Sequence, residues 1–271
     1  MKVEEVKQIT NKALEDLAAS LESGQSEALT AYLKTMALFS KYSLNNLFLI
    51  ARQRPDARRV AGYQTWLKLG RFVRKGEKGI AIIAPLVRRK SDEQTQATES
   101  ERSIAGFKVA HVFSEEQTEG EPLPQIGTVT GDPGYYLSRL EQFVRDNGIE
   151  LRYSDEIAPA RGMAEKGKIT LLPEQTPAET FSTLVHEVAH SEMHFGDRRT
   201  ETTKRTRETE AESVAYVVCS AIGLETGTAA QDYVGLYGGD SKLLLESLQY
   251  IQQAANRILA AIVPEISAAP A

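Results

Sequence analysis

His186, Glu187 and His190 form a His-Glu-x-x-His run within VHEVAH. On an α-helix, residues four apart share a face, so His186 and His190 can offer imidazole nitrogens to one metal ion. Glu187, beside the first ligand, is then placed to take a proton from water as a general base. Neutral imidazoles suit a borderline-soft ion, and zinc (Zn2+) is the expected cofactor. The neighbouring Phe181, Leu184, Val185, Val188 and Ala189 are apolar, which predicts that the helix carrying the motif is mostly buried.

Catalytic zinc usually takes three protein ligands and keeps one position open. Glu208, Glu210 and Glu212 follow after a short charged stretch, GDRRTETTKRT, which reads as a loop. On a helix, Glu208 and Glu212 share a face, and Glu210 points about 160° away from each of them. Glu208 is the expected third ligand, with Glu212 as a carboxylate orienting a ligand histidine; the reverse assignment stays open. Glu210 reads as a solvated surface charge. A three-histidine site would need its third histidine at position 196, which is Gly196. His194 is therefore read as a structural histidine or one that supports a ligand. The strand KITLLP precedes the helix, and Thr170 to Leu172 could present an edge to an extended peptide or be an ordinary sheet strand.

The elements around the motif read as follows. ELRYS and KITLL are strands, YYLSRLEQFVRDNG is a helix closed by Gly148, and ETEAESVAYVVCSAIG is a helix with an apolar face. A long amphipathic helix over 240–262, with Asp240 as its cap, completes this half, and PEISAAPA is a frayed tail. Upstream, residues 3–22 and 26–52 are helical, whereas GIAIIAP and GFKVAHVF are strands joined by a polar, solvated segment. A Pro/Gly/Glu-rich stretch over 115–134 places a domain boundary near residue 128.

The chain has 271 residues and a net charge of −5, yet its charge is unevenly spread. Residues 51–90 hold twelve Lys and Arg against Asp56 and Glu77, a local +10. Tyr63, Trp66 and Phe72 lie among these cations, with Tyr42 just upstream. Grooves for single-stranded nucleic acid combine cations with rings on which bases stack. The plain alternative is a solvated charged face over a core that holds Trp66 and Phe72. A single cysteine, Cys219, excludes an internal disulfide framework and fits a reducing compartment. With no apolar run near the ~18 residues of a membrane span and no signal-like leader, the chain is expected to be cytoplasmic and without a membrane partner.

FSKYSLNNLFLIARQRPDARRVAGYQTWLKLGRFVRKGEKGIAIIAP and FKVAHVFSEEQTEGEPLP closely resemble the N-terminal domain of ArdC-type antirestriction proteins, a single-stranded-DNA-binding module. The family's motifs fall on Tyr42, Ser43 and Asn46, on Trp66 with Gly70, and on Lys75 to Gly79. The second half resembles the zincin domains attached to that module and, more distantly, ImmA/IrrE-type metallopeptidases. Related gluzincins carry Glu-x-x-Ala-Asp with the first Glu as ligand, and Glu208-Thr-Glu-Ala-Glu212 has that form with Glu in place of Asp.

The resemblance implies an α+β chain of two domains. Residues 1–127 would bind single-stranded DNA, and 128–271 would form a gluzincin-like metallopeptidase domain with its motif helix packed on a small sheet. The expected DNA contacts are Tyr42, Asn46, Arg52, Trp66, Arg71, Arg74, Lys75 and Lys78. The implied role is antirestriction or DNA protection for a mobile element. The alternatives are a regulatory metalloprotease that cleaves a repressor and a non-catalytic zinc-bearing DNA-binding module. A protein substrate is a partner only if the site is active.

Overall fold

The computed structural model describes residues 3–23, 27–39, 41–57, 59–89, 102–121, 131–225 and 241–263. The polar segment between the two predicted N-terminal strands falls mostly outside these, at 90–101. Also outside are the boundary near 128, the predicted Asp240 cap and the tail. Helices and strands mix in an α+β chain of two compact units. One comprises Met1–Glu15 with Asn45–Leu123; the other comprises Asp16–Leu44 with Pro124–Ala271. The dividing line falls inside the first helix, α1 (Val3–Glu22).

In the first unit, α3 (Leu44–Gln53) precedes the short β1 (Val60–Gly62), α4 (Tyr63–Lys68) and β2 (Arg71–Val73). Two long strands follow, β3 (Ile80–Arg89) and β4 (Arg102–Ser114), paired antiparallel with a bulge at Leu86/Val87. The sheet order is β1-β4-β3, and β2 pairs separately with β5 (Thr118–Gly120). β3 is therefore an edge strand, and an open edge is a pairing hazard. Two amides seven residues apart on α3 cover it. Asn46 accepts from Ile83 N at 2.8 Å and donates to Ile83 O at 2.9 Å. Gln53 does the same with Ala81, both at 2.9 Å. The two-turn spacing on the helix matches every second residue on the strand, where edge groups point the same way.

In the second unit, α2 (Glu27–Leu38) buries Leu29, Tyr32, Leu33 and Met36 and packs on α8 (Lys204–Ala221). That contact is why the stretch joins the C-terminal unit although it lies far from it in sequence. α5 (Tyr135–Asp146) ends before Gly148, whose φ of 71° suits a left-handed position. A three-stranded sheet follows with order β6-β8-β7: β6 (Glu150–Tyr153), β7 (Gly162–Glu165) and β8 (Lys168–Leu171). β6 runs parallel to β8, and β7 runs antiparallel to it. α6 (Pro177–Met193) packs on this sheet and on α5, α8 and the terminal α9 (Ser241–Ile262). Its buried Phe181, Leu184, Val185 and Val188 join Leu140, Ile169 and Leu171 in the core.

Two expectations are corrected. β8, which holds Thr170 and Leu171, is the central strand; both its edges are used, so it has none to offer a peptide. Of the two edge strands, the one against α6 is β7, within RGMAEKGK, where no apolar alternation marked a strand. The charged stretch after His194 is not all loop: it holds α7 (Arg198–Glu201) and the first turn of α8, capped by Thr203 accepting from Thr206 N at 3.1 Å.

Candidate metal centre

α6 begins at a reciprocal cap. Thr176 Oγ1 accepts from Glu179 N at 3.3 Å, Glu179 Oε2 accepts from Thr176 N at 3.0 Å, and Pro177 opens the first turn. The helix then runs through the motif to its C-cap at His194. One turn separates His186 from His190, and their Nε2 atoms lie 3.0 Å apart. Across from them on α8, Glu208 Oε2 lies 3.5 Å from each Nε2. Donors around a tetrahedral ion with bonds of about 2.0–2.1 Å would stand roughly 3.3 Å apart. The observed triangle brackets that value, and its two imidazoles and one carboxylate are a fitting donor set for a divalent ion. Glu208, rather than Glu212, completes the cluster. Glu212 lines the same cavity and its charge acts on His186.

Glu187 is buried beside the cluster, and burial raises its pKa although a hydrogen bond from the Ala164 backbone favours the charged form. β7 approaches it very closely. A Cβ at Gly162 would stand 2.6 Å from Glu187 Oε1 and 2.7 Å from Thr183 Cγ2. The position favours glycine because the strand lies against the Glu187 and Thr183 side chains. The cluster opens into a cavity of about 800 Å³, lined by Gly162, Met163 and Ala164 of β7 on one side and by α8 on another.

Behind the histidines runs a buried polar chain. His190 Nδ1 lies 2.9 Å from His194 Nδ1, and His194 Nε2 lies 3.0 Å from Glu210 Oε2. Arg198 pairs with Glu210 and reaches Glu246 Oε1 on α9 at 3.1 Å, with its guanidinium 3.7 Å from the Tyr250 ring centroid. Proton accounting orders this chain. A bare His190 Nε2 needs its proton on Nδ1, which donates to His194 Nδ1. His194 must then carry its own proton on Nε2 and donate it to Glu210. Outer partners of this kind fix the tautomer and ring orientation of a ligand histidine.

Glu210 therefore corrects the sequence reading. It is 0% exposed, not a surface charge. Glu210 does face away from Glu208, but α8 is enclosed: α6 and α2 pack on it, and so does α9. The face opposite Glu208 meets α9 instead of water. The carboxylate at the end of the His190–His194 pair is Glu210.

The electrostatics suit a cation. Burial alone would lower the pKa of His186, but its hydrogen bond to Glu208 and the charges of Glu187, Glu208 and Glu212 hold it above its usual value. Burial and the His186 charge drop His190 to about 4. The hydrogen bond from His186 leads the effects that bring Glu208 down to about 2. Burial would raise Glu210, yet the bonds from His194, Arg198 and Ser247 keep it ionised below its normal range.

The residues expected at DNA are placed as follows. Trp66 is 2% exposed and donates Nε1–H to Phe113 O at 2.9 Å, so the ring is core. Asn46 braces β3. Arg71 binds Thr118 Oγ1 at 2.8 Å and Glu121 O at 2.6 Å, and Arg74 binds Glu77 Oε1 at 3.1 Å. Arg52, Lys75 and Lys78 are exposed. Tyr42 is half-buried in the second unit, where Gln252 Nε2 donates to its carbonyl. The exposed rings of the first unit are Tyr63, Phe72 and Phe107, at 48%, 55% and 55%. Phe107, on β4 opposite Pro85, was not singled out; a lone aromatic in an alternating strand looks the same whichever face it takes.

Fold and site define an α+β protein with a two-histidine, one-glutamate donor cluster beside a buried carboxylate. Residues 4–113 match the family model described as the N-terminal domain of anti-restriction factor ArdC. Two crystal structures of the antirestriction ArdC protein from plasmid R388 align along nearly the whole chain. The metal-free one has 23% identity and a TM-score of 0.53, covering 93% of this chain and 97% of that one. The Mn(II)-bound one has 22% identity and a TM-score of 0.52, covering 96% and 98%. An uncharacterized protein of Bacillus anthracis is 25% identical over 309 residues; the match covers 97% of this chain and 52% of that protein, so the chain spans about half its relative's length. The N-terminal part thus resembles the ArdC N-terminal domain, and the whole chain shares the fold of the R388 protein. Among the described residues, no helix is long and apolar enough to cross a membrane.

Proposed function

We propose that this protein protects DNA as ArdC-type antirestriction factors do, joining a single-stranded-DNA-binding N-terminal unit to a divalent-metal site of peptidase type. The observation that carries the second part is the donor triangle of His186, His190 and Glu208 with Glu187 buried beside it. A purely structural zinc site is closed by four protein ligands. Three donors facing an 800 Å³ cavity fit a working site better, which favours the catalytic reading over a metal-bearing scaffold.

A divalent ion held there would polarise a carbonyl and make water easier to deprotonate. Glu187 would take the proton from the attacking water and pass it to the leaving amine; its raised pKa suits both steps. His194 and Glu210 would hold His190 in the ligating tautomer. β7 would align an extended chain past Glu187. Zinc is the expected ion. Manganese is the ion named for the R388 relative, and the donor set accommodates either.

For the N-terminal unit, the support is the family match, the exposed Arg52, Lys75 and Lys78, and the exposed rings of Tyr63, Phe72 and Phe107. The test of the whole reading compares wild type, His186→Ala and Glu187→Gln. Metal content should collapse in the first variant and persist in the second, with single-stranded DNA binding intact in both. A wild type that takes up neither zinc nor manganese refutes the site. Equal protection of incoming DNA by wild type and Glu187→Gln removes peptidase chemistry from the role.

A further inference from the structure

The cavity at the donor cluster is lined by charges of both signs. Glu187 is buried and Glu208 and Glu212 are half-buried, whereas Arg199 on α7 and Lys204 at the start of α8 are exposed and, with the half-buried Arg207, make its cationic rim. Nearby cations are matched: Arg161 pairs with Glu179 at 3.1 Å, and Arg198 with Glu210 and Glu246. Among the described residues, no ion pair joins Arg199, Lys204 or Arg207 to a carboxylate. Arg207 instead holds the Arg199 carbonyl at 3.0 Å, which fixes the corner, and the Arg199 guanidinium lies 5.8 Å from the Phe195 ring centroid. Lys204 and Glu208 influence each other only as charges at range.

On the other wall stands β7. One edge pairs with β8, and among the described residues no strand pairs with the other. An extended polypeptide can complete such an edge through its backbone while its side chains alternate in direction.

We propose that this cleft selects an acidic stretch of polypeptide, laid along β7 with its carboxylates on Arg199, Lys204 and Arg207. The proposal rests on the peptidase reading above and specifies its substrate. A phosphate chain fits less well. It has no amides to pair with a strand, and it would bring a charge at every unit beside three carboxylates of the lining. A peptide has a neutral backbone and carries charge only on its acidic side chains, which can turn to the cationic rim.

The test uses the full-length Glu187→Gln protein and two labelled ten-residue peptides, one with alternating Glu and one with Gln in the same places, followed by fluorescence anisotropy. Exposed ion pairs contribute a factor of about two to five each. With one pair at each of the three cations, the Glu peptide should therefore bind about eightfold to a hundredfold tighter at low salt, with the preference shrinking as salt rises. The double variant Arg199→Gln/Lys204→Gln should lose most of that preference while its melting temperature and metal content stay as they were; Arg207 is spared because it holds the corner. Because the rim needs no ion, the measurement is also made on metal-free protein, so the preference is read whichever way metal uptake falls. Equal affinity for the two peptides overturns the proposal, as does a preference that survives the double substitution. Binding of an oligothymidylate that weakens with the rim substitutions, while peptide binding does not, assigns the rim to nucleic acid instead. Failure of metal uptake alone would count against the peptidase reading and leave the peptide result standing.

Discussion

Metal affinity should titrate with a single proton over a defined window. Ion binding requires bare donors, so any proton on them competes. His190 loses its proton near pH 4 and Glu208 near pH 2, whereas His186 is held above its ordinary value of 6.5. Below pH 6.5 the metal-free site therefore carries one proton on His186, and a second arrives only near pH 4. From pH 6.5 down to about 4.5, affinity should fall about tenfold per unit, about a hundredfold in all. Below about 4 the slope should steepen towards a factor of a hundred per unit. The perturbation that tests the cause is Glu208→Gln, which removes the hydrogen bond and charge that raise His186. Its affinity should be weaker throughout, and the start of its pH dependence should move to lower pH. Competition with a chelator of known affinity, or calorimetry in metal-free buffer, would measure both. A flat profile from 6.5 to 4.5, or a two-proton slope across that whole range, would refute the reasoning.

Four further substitutions have expected outcomes. Glu210→Ala strands the buried Arg198 cation and removes the acceptor of His194, so it should cost about 3–5 kcal/mol in urea denaturation and weaken metal binding by about 10- to 100-fold. Asn46→Ala uncovers both backbone groups of Ile83 and should cost about 2–3 kcal/mol, whereas Phe72→Ala should leave stability within about 0.5 kcal/mol and weaken single-stranded DNA binding. Gly162→Ala drives a methyl group into Glu187, so metal content should persist while any peptide hydrolysis falls; unchanged hydrolysis would show that β7 can move away from the carboxylate.

Much of the site was legible in the chain because its information is local. The spacing of His186 and His190 and the apolar residues around them are properties of one helix, and helical periodicity translates them directly into a shared face. Glu208 came from the same periodicity on the next helix. β3 and β4 were visible as apolar runs for a similar reason, although β4 extends further than GFKVAHVF suggested.

The rest depended on contacts between elements, and spacing along the chain carries no record of those. Whether Trp66 stacks on a base or fills a core is settled by Phe113, 47 residues away. Whether a family motif residue such as Asn46 reads DNA or braces a strand depends on where β3 comes to lie. Which strand has a free edge depends on sheet order, and the central place of β8 moved that part from Thr170 and Leu171 to β7.

The sequence alone determined that two histidines and a glutamate share one helical face, that a carboxylate follows within reach, and that cations gather at 51–90. Only the tertiary structure decided what each carboxylate of α8 meets. α8 offers Glu208 to the donors because that face meets α6, and it buries Glu210 because its opposite face meets α9. A helix sets the angle between two side chains; its neighbours set whether each one meets an ion, a partner or water.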